Sequence, residues 1–234
     1  MKLKTLAKAT LALGLLTTGV ITTEGQAVHA KDKQERVQHL YDIKDLHRYY
    51  SSEIFELSNV SSNVENYNGS SVLRFNQQKQ NFQLFLLGKD KDKYKDGIQG
   101  KDVFAVKELI DPNDRLSTVG GVTKKNVRSV FGFVSKPDLL VKKIDGENSI
   151  SKNELFFIQK EEVSLKELDF RIRKLLVEKH GLYQGTSKYG KVIINLKGEK
   201  KEEIDLSDKL KFERMGEVID SKDIKNIEVN LKQI

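Results

Sequence analysis

One helix with clear end signals stands among many short alternating segments, and this combination restricts the fold. Ser164 with Glu167 three residues later forms a capping box, which marks a helix start. Gly181 occupies the place of the left-handed residue that follows many helices. An apolar stripe joins the two ends: Leu165, Leu168, Ile172, Leu175 and Leu176. A long helix lying across a mixed sheet is a β-grasp-like pattern, in an α+β, β-rich protein.

The residues before this helix predict a second β-rich unit. A helical spacing of apolar residues over 35–50 is followed by short alternating runs. The predicted strands are 54–60, 64–67, 72–75, 82–87, 103–109 and 116–119. Asp111-Pro112-Asn113-Asp114 is a strong turn signal, with Pro at the second position. About five short strands at this spacing indicate a small barrel such as an OB-fold.

A polar boundary after Gly120-Gly121 divides the chain. Beyond it, the predicted strands are 130–134, 139–144, 155–158, 191–196, 202–206 and 227–231. We therefore predict an OB-fold domain over residues 31–126 and a β-grasp domain over residues 127–234.

The first thirty residues have the pattern of a secretory signal peptide. Lys2, Lys4 and Lys8 precede an apolar stretch over 9–21, which is shorter than the roughly 20 residues of a membrane span. The segment ends in Val28-His29-Ala30, with modest or small residues at the cleavage positions. We predict that residues 1–30 are removed, that the mature chain begins at Lys31, and that the protein is secreted and extracellular.

The sequence lacks the patterns of a catalytic, metal or cofactor centre. The absence of Cys excludes disulfides, a thiol nucleophile and Cys-based zinc sites. No phosphate-binding loop, zinc-protease motif or nucleophile elbow is present. The net charge of +7 comes from basic residues interleaved with acids, which is typical of solvated faces rather than nucleic-acid surfaces. We expect a binding protein that is not an enzyme, with no cofactor, no metal, no nucleic-acid partner and no membrane insertion.

The helix segment also carries a family resemblance. Residues 160–183 resemble the C-terminal signature of the staphylococcal and streptococcal superantigen family, with Asp169, Arg173 and Tyr183 at the family spacing. A second motif is met at 120–123, but Val119 stands where the family has Tyr. That departure and the lack of Cys resemble the non-mitogenic, staphylococcal superantigen-like branch. Residues 127–159 resemble a different member of this branch than the flanking segments do. The implied fold is an OB barrel joined to a β-grasp domain.

The resemblance implies that the OB barrel binds the Fc region of immunoglobulin A. The positions that match the contacting loops are Tyr67, Asn68, Arg74, Leu109, Pro112 and Asn113. Physically, Leu109 and Ile110 lead into a turn stiffened by Pro112, so an apolar group is held at low entropic cost. On this interpretation the Leu109 side chain is expected at the surface.

For the β-grasp domain, the resemblance implies binding of complement component 5, with Glu203 as the matched acidic contact. An alternative is a module for sialylated glycans on leukocyte receptors, for which Thr186 and Lys191 stand in similar places. A Lys stands there where an Arg is usual, and Lys does not recognise a carboxylate with two parallel hydrogen bonds. The sequence leaves both function classes open.

Overall fold

A computed structural model describes residues 42–111, 113–126, 132–185 and 187–233. The predicted signal peptide, Pro112 and Thr186 lie outside the described residues. The helices are α1 (Ile43–Tyr50), α2 (Lys89–Lys93) and α3 (Leu165–His180). The N-terminal strands are β1 (Ile54–Ser62), β2 (Val64–Tyr67), β3 (Ser70–Gln77), β4 (Gln80–Phe85), β5 (Ile98–Val106), β6 (Leu116–Val119) and β7 (Val122–Thr123). The C-terminal strands are β8 (Asp138–Asp145), β9 (Asn148–Leu155), β10 (Glu162–Ser164), β11 (Ser187–Leu196), β12 (Lys201–Asp205), β13 (Val218–Asp220) and β14 (Ile224–Gln233).

The N-terminal strands form the small barrel that the alternating runs predict. One sheet has the order β1-β5-β7, and the other has the order β2-β3-β4-β6 with a parallel β4–β6 pair. Period-two alternation directs one face of each sheet inward. The enclosed cluster consists of Leu57, Val60, Leu73, Phe82, Leu84, Leu86, Tyr94, Ile98, Val103, Ala105, Leu116 and Val122.

The C-terminal strands form a five-stranded mixed sheet with the long helix on it. Its order is β12-β11-β14-β8-β9, in which β14 and β8 are parallel. The predicted ends of α3 are confirmed, because the Ser164 hydroxyl accepts a hydrogen bond from the Glu167 N–H and Gly181 has φ +70°. The buried stripe of α3 covers the sheet.

Three predicted elements differ from the structure. The predicted strand 130–134 is wrong at residues 132–134, which are not in a strand, and residues 130 and 131 lie outside the description. The predicted strand 155–158 is wrong as well, because the strand is β9, which ends at Leu155. Of the residues beyond it, Ile158 forms an isolated bridge with Ser135. The predicted helix 35–50 is described from Ile43 onward, after the cap Asp42.

A second apolar cluster, separate from the one enclosed by the barrel, contains buried residues of both units. It contains barrel residues such as Val72, Phe85 and Phe104 together with the buried face of α3 and the C-terminal sheet. The α1 residue Tyr50 is fully buried in the same cluster, and its hydroxyl donates to Asp169 Oδ2 at 2.7 Å. Because the interface is large and apolar, the two units form one packed body.

The Gly120-Gly121 turn is part of this interface. Both residues have left-handed backbones, with φ +57° and +81°. The Gly121 N–H donates to the Met215 carbonyl at 3.0 Å, and its own carbonyl accepts from the Phe104 N–H at 2.9 Å. A methyl group on Gly121 would lie 2.4 Å from the Phe104 oxygen. The close approach of three backbone segments therefore requires glycine here.

Replacing Gly121 by Ala is expected to destabilise the protein by at least ~1 kcal/mol more than replacing Gly69 by Ala. Gly69 has a similar φ of +79°, but a methyl group added there would have no atom within 4 Å. The Gly69→Ala variant therefore measures the backbone strain alone, which is about 1–2 kcal/mol. Urea unfolding of both variants measures the difference. Equal losses would show that the Phe104 contact relaxes without cost.

Candidate binding surfaces

The hairpin between β2 and β3 presents two of the candidate residues. Its turn is Asn68-Gly69, with φ +50° and +79°, the backbone signs of the type I′ turn that suits hairpin twist. Tyr67 ends β2 and is half-buried, whereas Asn68 at the turn is exposed. The hairpin thus fixes the direction in which both side chains leave the sheet.

Arg74 on β3 connects this hairpin to the neighbouring strand. Its guanidinium carbon lies 4.8 Å from the centre of the Tyr67 ring. Its Nη1 donates to Glu65 Oε2 at 2.7 Å, and its Nε donates to Gln83 Oε1 at 2.9 Å. With partners on three sides, the side chain is held in one orientation.

The same Gln83 oxygen reaches the segment that follows β5. Arg115 Nη1 donates to Gln83 Oε1 at 3.3 Å and lies 4.0 Å from Asp111 Oδ2. Asp111 in turn accepts from the Asn113 N–H at 2.7 Å through its side chain and from the Asp114 N–H at 3.1 Å through its carbonyl. The predicted turn at Asp111 is confirmed, and the structure brings Tyr67, Arg74 and Asn113 into one connected surface, which we call the barrel surface.

The position of Leu109 corrects the expectation of a surface side chain. Leu109 is half-buried and packs against the interdomain core, and its N–H donates to the Ser117 carbonyl at 3.2 Å. The exposed apolar side chain is Ile110, which is 94% exposed. Neighbouring residues on extended backbone point to opposite sides, so an inward Leu109 leaves Ile110 outward. We therefore extend the barrel surface by the exposed neighbours Asn68 and Ile110 and leave Leu109 out of it.

The β-grasp candidates meet in a charged triad on β11 and β12. Glu203 accepts hydrogen bonds from Lys191 and Lys201, each at 2.7 Å. Hydrogen bonds from Lys191 and Lys201 hold the pKa of the Glu203 carboxyl at about 2, well below its usual value. The residue matched to complement contact and the described residue matched to glycan contact are thus direct partners, and Lys191 already has a carboxylate beside it.

A groove of about 650 Å³ between the two units is also lined by charged groups. Arg171 is bonded to Glu56 across the interface and to Glu167 at 2.9 Å on its own helix. Lys160 lies 2.9 Å from the other oxygen of Glu167. These charges are paired with one another, which favours a role in joining the two units.

The described residues contain no grouping of three or more His, Asp or Glu side chains that could hold a metal ion. Among the helices that the structure describes, none has the length and apolar character that crossing a membrane requires.

Family models match both units. Residues 44–126 match the staphylococcal superantigen-like OB-fold domain, and residues 138–231 match the staphylococcal/streptococcal toxin β-grasp domain. The predicted combination of an N-terminal OB-fold and a C-terminal β-grasp domain is confirmed.

Curated relatives and solved structures agree with these models. The chain is 72% identical over 234 residues to staphylococcal superantigen-like 7 of Staphylococcus aureus strain Newman, covering 100% of both chains. It is similar to the crystal structure of a superantigen-like protein from S. aureus NCTC 8325, with 61% identity, a TM-score of 0.78, and coverage of 82% of this chain and 100% of that one. It is also similar to the superantigen-like protein SSL5 of S. aureus complexed with sialyl Lewis X, with 34% identity, a TM-score of 0.75, and coverage of 81% and 100%. This chain belongs to the staphylococcal superantigen-like protein family.

Proposed function

We propose that this chain is a secreted, non-mitogenic immune-evasion protein that acts by binding, and that its barrel domain, residues 31–126, binds the Fc region of immunoglobulin A. The observation that most supports Fc binding is a row of side-chain contacts. It runs from Tyr67 through Arg74, Gln83 and Arg115 to Asp111. This row joins two separate loops into one ordered surface. Ordering before binding lowers the entropic cost of association.

The residue types on the barrel surface also support a protein partner. Tyr and Arg are the types most often found where binding energy is concentrated. Tyr67 and Arg74 stack on each other, so each limits the side-chain freedom that binding would otherwise remove. Ile110 adds an exposed apolar group in the chain segment that carries Asn113.

Replacing Ile110 by Ala is expected to weaken Fc binding by about thirtyfold, because truncating a buried interface anchor costs about 2 kcal/mol. Its melting temperature should stay unchanged, since the side chain has no packing to lose. Surface plasmon resonance with immunoglobulin A Fc and a melting curve measure both quantities. Leu109→Ala should instead lower the melting temperature, because Leu109 packs on the core.

Ile150 supplies the matched control, since it is 74% exposed but lies on β9. Ile150→Ala should leave Fc affinity unchanged. If Ile110→Ala had no effect, or if both variants weakened binding equally, the assignment to the barrel surface would be wrong. Failure of the unaltered mature chain to capture immunoglobulin A from human serum would refute the Fc proposal as a whole.

For the β-grasp domain, residues 127–234, we propose binding of complement component 5 through the edge that carries Glu203. Glu203 and its two Lys partners form a partly exposed charged surface, which suits a polar protein partner. The alternative is a sialylated glycan, as the related SSL5 complex with sialyl Lewis X suggests. One observation argues against the glycan. A sialate carboxylate would need the Lys191 ammonium, and that ammonium is already paired with Glu203.

Leukocytes treated with sialidase separate the two proposals. The complement proposal expects equal binding of the protein to treated and untreated cells, together with capture of complement component 5 from serum. Loss of cell binding after treatment, without complement capture, would replace it by the glycan alternative.

A further inference from the structure

A residue of the β-grasp domain contacts the start of the barrel segment that carries Ile110. Glu108 lies two residues after the end of β5, and its side chain is completely buried. Lys166 near the start of α3 is 1% exposed, and its Nζ lies 3.0 Å from Glu108 Oε1. An ion pair between the β-grasp helix and the barrel therefore lies two residues before Ile110.

Lys166 also contacts the strand on the far side of this segment. Its Nζ donates to Thr118 Oγ1 at 2.7 Å and to the Val119 carbonyl at 2.9 Å, both on β6. The Thr118 hydroxyl in turn accepts from the Val106 N–H at the end of β5 at 3.3 Å. One ammonium group thus links the end of β5 to β6.

Hydrogen bonds hold both carboxyl oxygens of Glu108 and its backbone N–H. Its Oε1 accepts from the Tyr49 hydroxyl on α1 at 2.7 Å, and its Oε2 accepts from the Val119 N–H at 2.8 Å. Its own N–H donates to the Ser117 carbonyl at 2.9 Å, next to the bond from Leu109. The buried Lys209 also interacts with Glu108, but Lys166 is the cation in direct contact with it, and removing that cation leaves the carboxylate short of compensating charge.

We propose that Lys166 of the β-grasp helix is a positioning residue that fixes Leu109 and Ile110 on the barrel surface. The inference rests on the proposed Fc function for its consequence, since Lys166 is too deeply buried to touch a partner. Without Lys166, the Glu108 carboxylate moves outward and carries Leu109 away from its bond with Ser117. Ile110 then loses its fixed position, so binding by the barrel depends on a residue of the other domain.

Lys124 provides a matched control for the substitution. It pairs with Glu162 at 3.6 Å and also crosses between the domains, but its side chain is 77% exposed. Exposed ion pairs contribute little to stability. Lys124→Met therefore removes the same type of charge and leaves a carboxylate, Glu162, that keeps 15% of its side chain exposed to water.

The test uses the full mature chain with the single variants Lys166→Met and Lys124→Met. A double variant combines Lys166→Met with Glu108→Gln, which removes the charge of the buried carboxylate. Hydrogen exchange of the Leu109 amide measures positioning without any partner, and surface plasmon resonance measures affinity for immunoglobulin A Fc. We expect Lys166→Met to raise Leu109 exchange and weaken Fc binding, each at least tenfold, while the Val192 amide in the β-grasp sheet is unchanged. Lys124→Met should change neither, and the double variant should restore Leu109 protection.

Unchanged Leu109 exchange in a folded Lys166→Met protein would overturn the proposal. If the single variant does not fold but the double variant folds with a protected Leu109, the unpaired Glu108 carboxylate is the cause, which supports the proposal; an exposed Leu109 in the double variant overturns it. Raised Leu109 exchange together with an absence of Fc binding in the unaltered protein would refute the proposed function and still support the positioning role of Lys166.

Discussion

Replacing Arg173 by Met is expected to reduce the free energy of unfolding by about 3–5 kcal/mol, the typical cost of removing one partner of a buried ion pair. Arg173 is fully buried on α3, and its Nε donates to Asp169 Oδ1 at 2.6 Å. Methionine keeps an unbranched apolar side chain but carries no charge, so the Asp169 carboxylate would lose its cation inside the core.

The loss extends beyond that carboxylate. The Arg173 guanidinium also donates to the Tyr183 hydroxyl and to three backbone carbonyls at the end of β12 and just after it. Those carbonyls belong to Asp205, Leu206 and Asp208. Buried acceptors without donors carry their full desolvation cost, so the whole segment after β12 should loosen.

Guanidinium chloride unfolding measures the effect, with Arg48→Met as the control. Arg48 also pairs with an acid on its own helix, Asp45, but its side chain is 79% exposed. The control should change stability by less than about 0.5 kcal/mol. A loss below about 1 kcal/mol for Arg173→Met would mean that water replaces the guanidinium in the core.

Replacing Asp90 by Asn is expected to remove a pH-dependent loss of stability that reaches about 4 kcal/mol between pH 3.8 and about 7. Asp90 lies on α2 at the domain interface, is 1% exposed, and has no hydrogen-bond partner for either carboxyl oxygen. It packs so closely on Gly216 that a methyl group there would lie 2.2 Å from Asp90 Oδ2. Burial raises the pKa of this carboxyl from 3.8 to about 7, while the nearby Lys93 acts in the opposite direction.

The sign of the pH dependence follows from the raised pKa. Between pH 3.8 and about 7 the folded protein holds a proton on Asp90 that the unfolded chain has lost, so stability falls as the pH rises. The stabilisation by the protonated form is fully present below pH 3.8, the pKa in the unfolded chain. It is lost as the pH rises through about 7, the pKa in the folded protein. Each pKa unit corresponds to about 1.4 kcal/mol, which gives the total of about 4 kcal/mol.

Melting curves from pH 5 to pH 8 test this expectation. The gap between Asp90→Asn and the unaltered protein should widen by roughly 3 kcal/mol over this range, or several degrees in melting temperature. Asp92→Asn on the same helix is the control, because Asp92 is exposed and its substitution removes the same charge from the surface. A gap of constant size for Asp90→Asn would show that the carboxyl is ionised throughout the range.

The sequence predicts the elements whose signals are local. The capping residues Ser164 and Gly181 define α3 to the residue. Most of strand β9 escapes prediction because it lies at a sheet edge, where all its residues except Glu154 are exposed. Side chains that face water on both sides need no alternation, so the sequence has no period there.

The candidate sites depend on contacts between distant parts of the chain, which spacing alone does not reveal. The spacing of Asp169 and Arg173 predicts an ordinary helical pair worth about 0.3–0.5 kcal/mol, yet the structure buries it against Tyr50. Similarly, the sequence predicts the turn around Asp111 but not the direction of the Leu109 side chain. That side chain points inward because it packs on a core that includes buried residues of α3.

The core shared by both domains has a consequence for how the molecule could hold two host proteins. A flexible linker lets two bound partners adjust around each other, with a local concentration set by its length. Here the seam between barrel and β-grasp is packed and hydrogen-bonded, so the angle between the two candidate surfaces is built in. If both proposed partners bind, this angle and the shapes of the two partners together decide whether the second can dock beside the first.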